Sequence, residues 1–263
     1  MDLKLTNKCA LVTGSTAGIG LAIATALLEE GVDVIINGRK QDSVDKVVAD
    51  LTPKATGKVL GYAGDLSLAE EADKLHKQYP DVDILINNLG IFEPTAFEDI
   101  SDDDWRRFFD INVLSGARLS RLYLPRMKQT NWGRIIFISS ESAIQIPAEM
   151  IHYGMTKAAQ IAVARGIAED VAGTEITVNS VLPGPTSSRG VADFVNDLAT
   201  QQGQTVEEFE TDFFNNVRPT SLIKRFADTT EVASMVCYLA SPLASATTGA
   251  SIRVDGGVVK SAF

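Results

Sequence analysis

Two cysteines and two histidines among 263 residues leave little material for metal chemistry. Zinc sites draw three or four ligands from Cys and His at short spacings, and Cys9, His76, His152 and Cys237 offer no such cluster, so no metal site is expected. A Ser-His-Asp hydrolase would need one of those histidines as its base. His76 lies in a polar helical stretch and reads as solvated, and His152, beside Tyr153, reads as a bystander. The two thiols fall in an apolar strand and an apolar helix, as reduced core groups of a cytoplasmic protein would. Positive charge is also short: 24 Lys and Arg face 34 Asp and Glu, and the net charge of -10 disfavours nucleic acid or an anionic membrane as partner. No run of 18 apolar residues occurs, and Met1 to Lys8 lacks the apolar stretch of a signal peptide. No linker, repeat or low-complexity segment interrupts the chain, so residues 1–263 are expected to form a single domain, one able to bury roughly 70–75% of its unfolded surface.

What the chain does have is alternation. Lys8–Thr13 reads as a buried strand, Thr13–Gly20 as a Gly-rich turn, and Leu21–Glu30 as a helix. Strand, glycine turn and helix together cradle phosphate, because glycines admit the anion and the helix start offers free N–H groups. The spacing is G-x-x-x-G-x-G with no Lys-Ser/Thr after it, which excludes a Walker P-loop. Further strands read at Val32–Asn37, Lys58–Tyr62, Val82–Ile86, Arg134–Ile138, Thr177–Leu182 and Ser251–Val254. Between them, a helix starts at Ser101, an N-cap with Asp102, Asp103 and Asp104 in its first turn; it carries Asn112 and ends near Arg126 and Lys128. Another runs from about Asp228 to Leu239. The fold class that follows is α/β, a doubly wound parallel sheet of Rossmann type in three layers, α/β/α.

Two stretches carry chemistry. The second strand ends at Gly38-Arg39-Lys40 with no acid at its tip, which favours NADP, an Arg there accommodating the 2′-phosphate. NAD stays possible if Arg39 only opens the next helix and Asp42 meets the ribose. Further on, Tyr153 and Lys157 stand at i and i+4, one helical turn apart, with Ser139-Ser140 just upstream. An ammonium beside a phenol lowers its pKa from about 10 and makes a general acid–base near neutral pH.

These motifs, Thr13-Gly-x-x-x-Gly-Ile-Gly20, Asp65, Asn87-Asn88-x-Gly90, Asn112, Ser140, Tyr153-x-x-x-Lys157, Pro183-Gly184 and Asp255-Gly256-Gly257, occur in the order found in the short-chain dehydrogenase/reductase family, which the whole chain resembles. The resemblance implies an NAD(P)-dependent enzyme moving a hydride between nicotinamide and a carbonyl or secondary alcohol. Tyr153 would exchange the proton, Ser140 would hydrogen-bond the substrate oxygen, and Lys157 would tune Tyr153 and hold the nicotinamide ribose. Asn112 would place a water linking Lys157 to solvent. Gly14, Ser15, Thr16, Gly18, Ile19 and Gly20 would hold the pyrophosphate, Asp65 with Leu66 the adenine, and Asn88 with Gly90 the adenosine ribose. Pro183, Gly184 and a hydroxyl of Thr186 or Ser188 would meet the carboxamide. Leu89 stands where the family usually has Ala, so a bulkier floor is expected there. The resemblance also implies a homodimer or homotetramer, in which the helix from Ser101 and the apolar stretch Ala158–Ile167 pair between subunits. A non-catalytic dinucleotide sensor is disfavoured because Ser140, Tyr153, Lys157 and Asn112 are all retained.

Thr186–Phe226 is long for a plain connection. Val191, Phe194, Val195 and Leu198 have helical spacing, and a Thr205-x-x-Glu208 capping box opens a second helix with Val206, Phe209, Phe213 and Val217 on one side. Five of the eleven Phe fall here, as in an apolar lid, with a packed helical hairpin as the alternative. Together with Ile144, Ile146, Pro147 and Met150 this favours a lipophilic ketone over a free sugar, with a 3-oxoacyl thioester as the other candidate substrate.

Overall fold

The computed structural model describes residues 2–187 and 204–262. Seven parallel strands form one sheet: β1 (Cys9–Val12), β2 (Asp33–Gly38), β3 (Val59–Ala63), β4 (Ile84–Asn87), β5 (Gly133–Ile138), β6 (Ile176–Pro183) and, last in the chain, β9 (Ser251–Val254). Their order is β3-β2-β1-β4-β5-β6-β9. The winding reverses between β1 and β4, and in such sheets ligands bind beyond the carboxyl ends of the strands at that crevice.

Alternate side chains of one strand go to opposite faces, and two cores result. Ala10, Val12, Val34, Ile36, Ile136 and Ile138 point to one, closed by α1 (Gly18–Glu29), α2 (Gln41–Leu51) and a late helix that we number α8 (Thr229–Ala240). Leu11, Ile35, Leu85, Ile135 and Phe137 point to the other, closed by α3 (Ala69–Gln78), α5 (Ser115–Thr130) and α6 (Ile151–Asp170). The fold is therefore the expected doubly wound α/β sandwich.

The helix beginning at Ser101 is one continuous rod with a flaw. The Ser101 hydroxyl accepts from Asp104 N–H at 3.1 Å and caps α4 (Asp102–Phe109). A wider turn of π type then covers Asp110–Leu114 before α5 resumes. Asn112 sits in that turn; such turns are frequent at functional sites.

Beyond β6, the chain forms a short pair, β7 (Thr186–Ser187) with β8 (Ala227–Asp228), around α7 (Val206–Asp212). The Thr205/Glu208 capping box is present on α7, and Asp228 with Glu231 makes a second on α8. The expected apolar stripe on α7 is corrected by another π-type turn at Phe213–Val217, which shifts the phase. Phe209 and Phe214 are buried while Val206 and Val217 are exposed. Phe213 and Phe226 stack, and Phe214 meets both edge-on, all three pairs with centroids 5.1 Å apart. The helical spacing of Val191, Phe194, Val195 and Leu198 lies outside the described residues, as does Ser188.

Three smaller expectations change. His76 is half-buried, edge-on to Tyr123 at 5.0 Å, rather than solvated. In α6, one stripe (His152, Thr156, Gln160, Ala164, Ala168) is buried, and Ala162 and Gly166 are exposed, so the apolar stretch Ala158–Ile167 is only partly covered within one chain. Leu89 packs against the core beneath the sheet edge, so its bulk goes into the body of the fold.

Candidate active site

At the carboxyl end of β1 the backbone is held by side chains from two other segments. Gly14 and Gly18 take φ of 60° and 58°, which only glycine adopts without strain. Gly20 faces Gly14 so closely that a Cβ would stand 2.5 Å from Gly14 O and from Asn88 Nδ2. Asn88 Nδ2 donates to the carbonyls of Thr13 and Gly14 at 3.0 and 3.2 Å, while Thr13 Oγ1 accepts from the N–H groups of Asn88 and Leu89. From β2, Asn37 Oδ1 accepts from Gly14 N–H at 3.2 Å and its Nδ2 reaches the Tyr62 and Gly64 carbonyls. Sequence reading missed Asn37; a polar residue closing an apolar strand at the sheet's carboxyl edge was the available signal.

The start of α1 shows what this turn can hold. Among the helices that begin after a loop, α4, α7 and α8 are capped by side chains, and α2 and α3 carry acids in their first turns. Helix α1 has neither a side-chain cap nor an acid there, a property shared by α6, whose start follows directly on the tight turn Ala148–Met150. The free N–H groups and positive dipole end of α1 fit an anion, so the residues present fit a dinucleotide pyrophosphate. Ser15 is turned inward: its hydroxyl donates to Val12 O at 2.7 Å and is spent on the fold. Thr16 instead lies against Gly38, where a Cβ would meet Thr16 Cγ2 at 2.5 Å. Arg39, just beyond, is exposed and has no ion-pair partner among the described residues. Asp65 accepts from Ser67 N–H and hydroxyl at 3.0 and 2.7 Å, and the Leu66 side chain is buried in the second core, leaving only its backbone for a ligand. Gly184 abuts Asp255, and the Thr186 hydroxyl donates to Gly184 O at 2.9 Å.

Across the crevice, α6 and the end of β5 bring Ser140, Tyr153 and Lys157 together. Ser139 Oγ donates to Lys157 O at 2.8 Å, tying the strand end to the helix. Lys157 is buried with its Nζ 5.5 Å from the centre of the Tyr153 ring. The ammonium donates to Ile138 O at 2.9 Å and Gln160 Oε1 at 3.2 Å, and Gly90 backs onto it, a Cβ there being 3.4 Å away. Burial pushes the Lys157 amine down to about 7. The phenol of Tyr153 is held above its ordinary value, by burial first; its hydrogen bond with Ser140 works the other way and the Glu141 charge adds to the rise. This corrects the expected lowering of the Tyr153 pKa by Lys157. The Lys157 ammonium is spent on the Ile138 carbonyl and Gln160 instead of on the phenol.

Asn112 stands next to this grouping. Its side chain is consumed, accepting from Ile91 N–H at 2.8 Å and donating to Ile91 O and Thr156 Oγ1. Its carbonyl accepts from Gln160 Nε2 at 2.5 Å. Gln160 was not foreseen, although its place three residues after Lys157 on the same helix puts it within reach. Nor was Glu141, a buried carboxylate that accepts from the Ser140 hydroxyl at 2.5 Å and faces Arg218 Nε at 3.4 Å. Arg218 lies just after the π-type turn at Phe213–Val217 and also faces Glu149, 3.7 Å away. His152 packs against Phe108, ring centroids 3.9 Å apart, and its Nδ1 has no partner among the described residues. Among those residues no group of three or more His, Cys, Asp or Glu is arranged to hold a metal. Burial pushes both thiols up to about 12.

Crevice, glycine turn and the Ser140-Tyr153-Lys157 grouping define a dinucleotide-binding oxidoreductase. Comparison with known proteins refines this. A family model described as enoyl-(acyl carrier protein) reductase matches residues 14–259. The uncharacterized oxidoreductase YvaG of Bacillus subtilis (strain 168) is 48% identical, covering 100% of both chains. Dehydrogenase/reductase SDR family member 4 of Caenorhabditis elegans is 33% identical over 96% of this chain and 95% of its own. The crystal structure of L-sorbose reductase from Gluconobacter frateurii, complexed with NADPH and L-sorbose, superposes with a TM-score of 0.94 at 29% identity, over 99% of this chain and 100% of that one. The chain belongs to the short-chain dehydrogenase/reductase family of oxidoreductases.

Proposed function

We propose that this protein is an NADPH-dependent carbonyl reductase acting on a lipophilic ketone. The observation that carries the reaction type is the grouping of Tyr153, Ser140 and Lys157 opposite an uncapped α1. Bound across that crevice, the nicotinamide dinucleotide supplies the hydride. Tyr153 gives its phenolic proton to the substrate oxygen, and Ser140 hydrogen-bonds that oxygen as charge develops on it. Lys157, charged when an anionic or hydroxyl-rich ligand lies beside it, steadies the phenolate. NADP preference is supported by Arg39 and by Gly38, where Thr16 leaves no room for the side chain of a ribose-binding acid.

The substrate side favours apolar matter. Phe92, Ile144 and Ile146 are 50%, 46% and 49% exposed, Phe92 with its ring 6.3 Å from that of Tyr153 and Ile146 against Gly154. We take the described part of the segment 186–226, residues 204–226, as the cover of this side, within a single domain; residues 188–203 lie outside the described residues. A keto sugar is the second reading, favoured by Glu141, Arg218 and Glu149 on the same side and by the L-sorbose bound to the similar structure. The family model's description keeps an acyl-carrier thioester as a third substrate class. NADPH and NADH oxidation against 2-decanone, L-sorbose and an acetoacetyl thioester separates them. Fastest turnover of 2-decanone with NADPH is expected; faster turnover of L-sorbose would replace the lipophilic reading. Tyr153→Phe should lower kcat/KM by about a hundredfold or more, and full activity in that variant would end the acid–base assignment.

A homodimer or homotetramer completes the reading. Between α5 and α6 lies an open apolar groove lined by Ala117, Leu124, Pro125, Val163 and Ile167, alongside the half of α6 left uncovered. Among the described residues no helix is long and apolar enough to cross a membrane, and we place the protein in the cytoplasm. Sedimentation as a monomer at micromolar concentration would remove the assembly.

A further inference from the structure

From Phe92 to Asp99 every residue but Thr95 is exposed, and an exposed run of this kind is ordinarily free to move. This one is pinned at every second residue of its approach. Ile91 N–H donates to Asn112 Oδ1 at 2.8 Å, and Ile91 O accepts from Asn112 Nδ2 at 3.0 Å. The Glu93 carboxylate accepts from Arg107 Nη1 and Nη2 at 3.0 and 2.7 Å. Thr95 N–H donates to Glu149 O at 2.9 Å. Between the first two ties stands Phe92, half-exposed and edge-on to the Tyr153 ring. Fixing an aromatic ring that water still reaches gives up its freedom without the gain of burial. A ligand that covers the ring supplies the missing gain.

The middle tie is made by side chains alone, and it has its own support. Arg107 lies in the last turn of α4, and Asp104, three residues earlier, accepts from its Nη2 at 3.0 Å. Asp104 also accepts from the Ser101 hydroxyl at 2.7 Å, so the cap of α4 and the clamp on Glu93 share one carboxylate. Behind Arg107, the wholly buried Phe108 ring lies 5.1 Å from the guanidinium and 3.9 Å from His152, the residue before Tyr153. Exposed ion pairs contribute little as a rule, but bidentate Arg–carboxylate pairs within a network are the exception. Hydrogen bonds from Arg107 hold Glu93 below the usual carboxylate range, and those with Ser101, then Arg107, do the same for Asp104. The clamp is therefore fully charged at neutral pH.

We propose that Phe92 is the specificity-determining residue of the substrate side, the wall on which the apolar arm of the ketone lies, and that Arg107 is a positioning residue holding this wall through Glu93. This deepens the lipophilic-ketone reading and rests on it. The carbonyl stands at Tyr153 in that reading, and Phe92 is the aromatic neighbour of the phenol, with ring centroids 6.3 Å apart. An arm leaving the carbonyl on that side meets the ring. A long alkyl or aryl arm covers it, and a ring already in place loses little freedom when the arm arrives. A short ketone leaves the ring in water. Selectivity for arm length is thus set by Phe92 and kept by an ion pair on α4 that touches no substrate.

The quantity to measure, with NADPH, is the ratio of kcat/KM for 2-decanone to that for 2-butanone. Phe92→Ala should lower this ratio by about three- to tenfold through the KM of the long ketone, with kcat for 2-butanone and NADPH affinity (by fluorescence) within about twofold of wild type. Arg107→Met should lower it in the same way, and Arg107→Lys, a point charge without the fork, should fall between that variant and wild type. In the Phe92→Ala background, Arg107→Met should lower the ratio no further, because the wall it holds is gone. An unchanged ratio in Phe92→Ala overturns the proposal. So does a ratio in the double variant that falls by the product of the two single effects, or an Arg107→Met that lowers Tm and leaves the ratio alone. Should Arg107→Met fail to fold, Glu93→Gln opens the same clamp from its other end and answers the same questions. If the wild type prefers 2-decanone and Phe92→Ala keeps its ratio, only this proposal falls; if the wild type prefers L-sorbose, the reading beneath falls and takes the proposal with it.

Discussion

The two halves of the carboxyl edge are built from different materials. Around β1 and β2 the site is backbone and small side chains: glycines at 14, 18 and 20, with Asn37 and Asn88 holding carbonyls and amides in place. At the end of β5 and along α6 it is ionisable groups taken out of water wholly, Lys157 and Glu141, or in part, Tyr153 and, from beyond β7, Arg218. In the proposed function the first half recognises by shape and free N–H groups, and the side chains named there carry no charge. The second sets proton affinities through desolvation and pairing, so its behaviour depends on what lies beside it.

That contrast can be broken at several points. The largest effect should come from Gly20→Ala. The new Cβ would meet a carbonyl and the Asn88 amide at 2.5 Å, and forcing such a contact costs about 1–3 kcal/mol. We expect a lower Tm and NADPH binding weakened by about tenfold or more, with no change in the pH dependence of binding. Wild-type affinity would show that the turn yields, and the distinction between a rigid and a tunable half would fail.

Arg39→Asp should act next in size. Removing a charge-assisted hydrogen bond to a 2′-phosphate costs about 1.5–3 kcal/mol, and the NADPH-to-NADH ratio of kcat/KM should fall by at least about tenfold. An unchanged ratio would mean that the phosphate is held elsewhere.

The smallest effect belongs to the second half and appears only with pH. Burial lowers the Lys157 amine from 10.5 to about 7 in the folded chain. Between those values the unfolded chain binds a proton that the native one does not, so this group makes stability rise with pH across that window. Below pH 7 both states are charged and the full penalty of burying the ammonium is felt. In Lys157→Met that penalty is gone, so its Tm relative to wild type, both without cofactor, should be more favourable at pH 6 than at pH 9. A difference in Tm that does not move with pH would place the amine in contact with water.

How much of this was legible beforehand depends on which half is considered. The turn from Thr13 to Gly20, the Ser101 cap, the Thr205/Glu208 box and the last strand follow from local rules, and the structure has each in place. Glycine spacing and cap chemistry act over a few residues, so they can be read in a line of text. Tyr153 and Lys157 were legible as a pair because a helical turn joins them. Their electrostatics were not: an i, i+4 spacing predicts proximity, and the phenol rose instead of falling because burial raises it, with the Glu141 charge adding to the rise. The α7 stripe slipped for a related reason, since nothing in the period of the apolar residues marks a π-type turn at Phe213–Val217.

The order of the motifs, the parallel α/β alternation and the identity of the chemically able residues were determined by the sequence itself, because hydrophobic period, turn residues and helix caps are short-range properties. Tertiary structure alone decided which groups meet: Gln160 between Asn112 and Lys157, and Arg218 brought back over Glu141 from 77 residues away. Such contacts set how far each ionisable group is removed from water, and desolvation depends on what surrounds an atom in space rather than on its neighbours along the chain.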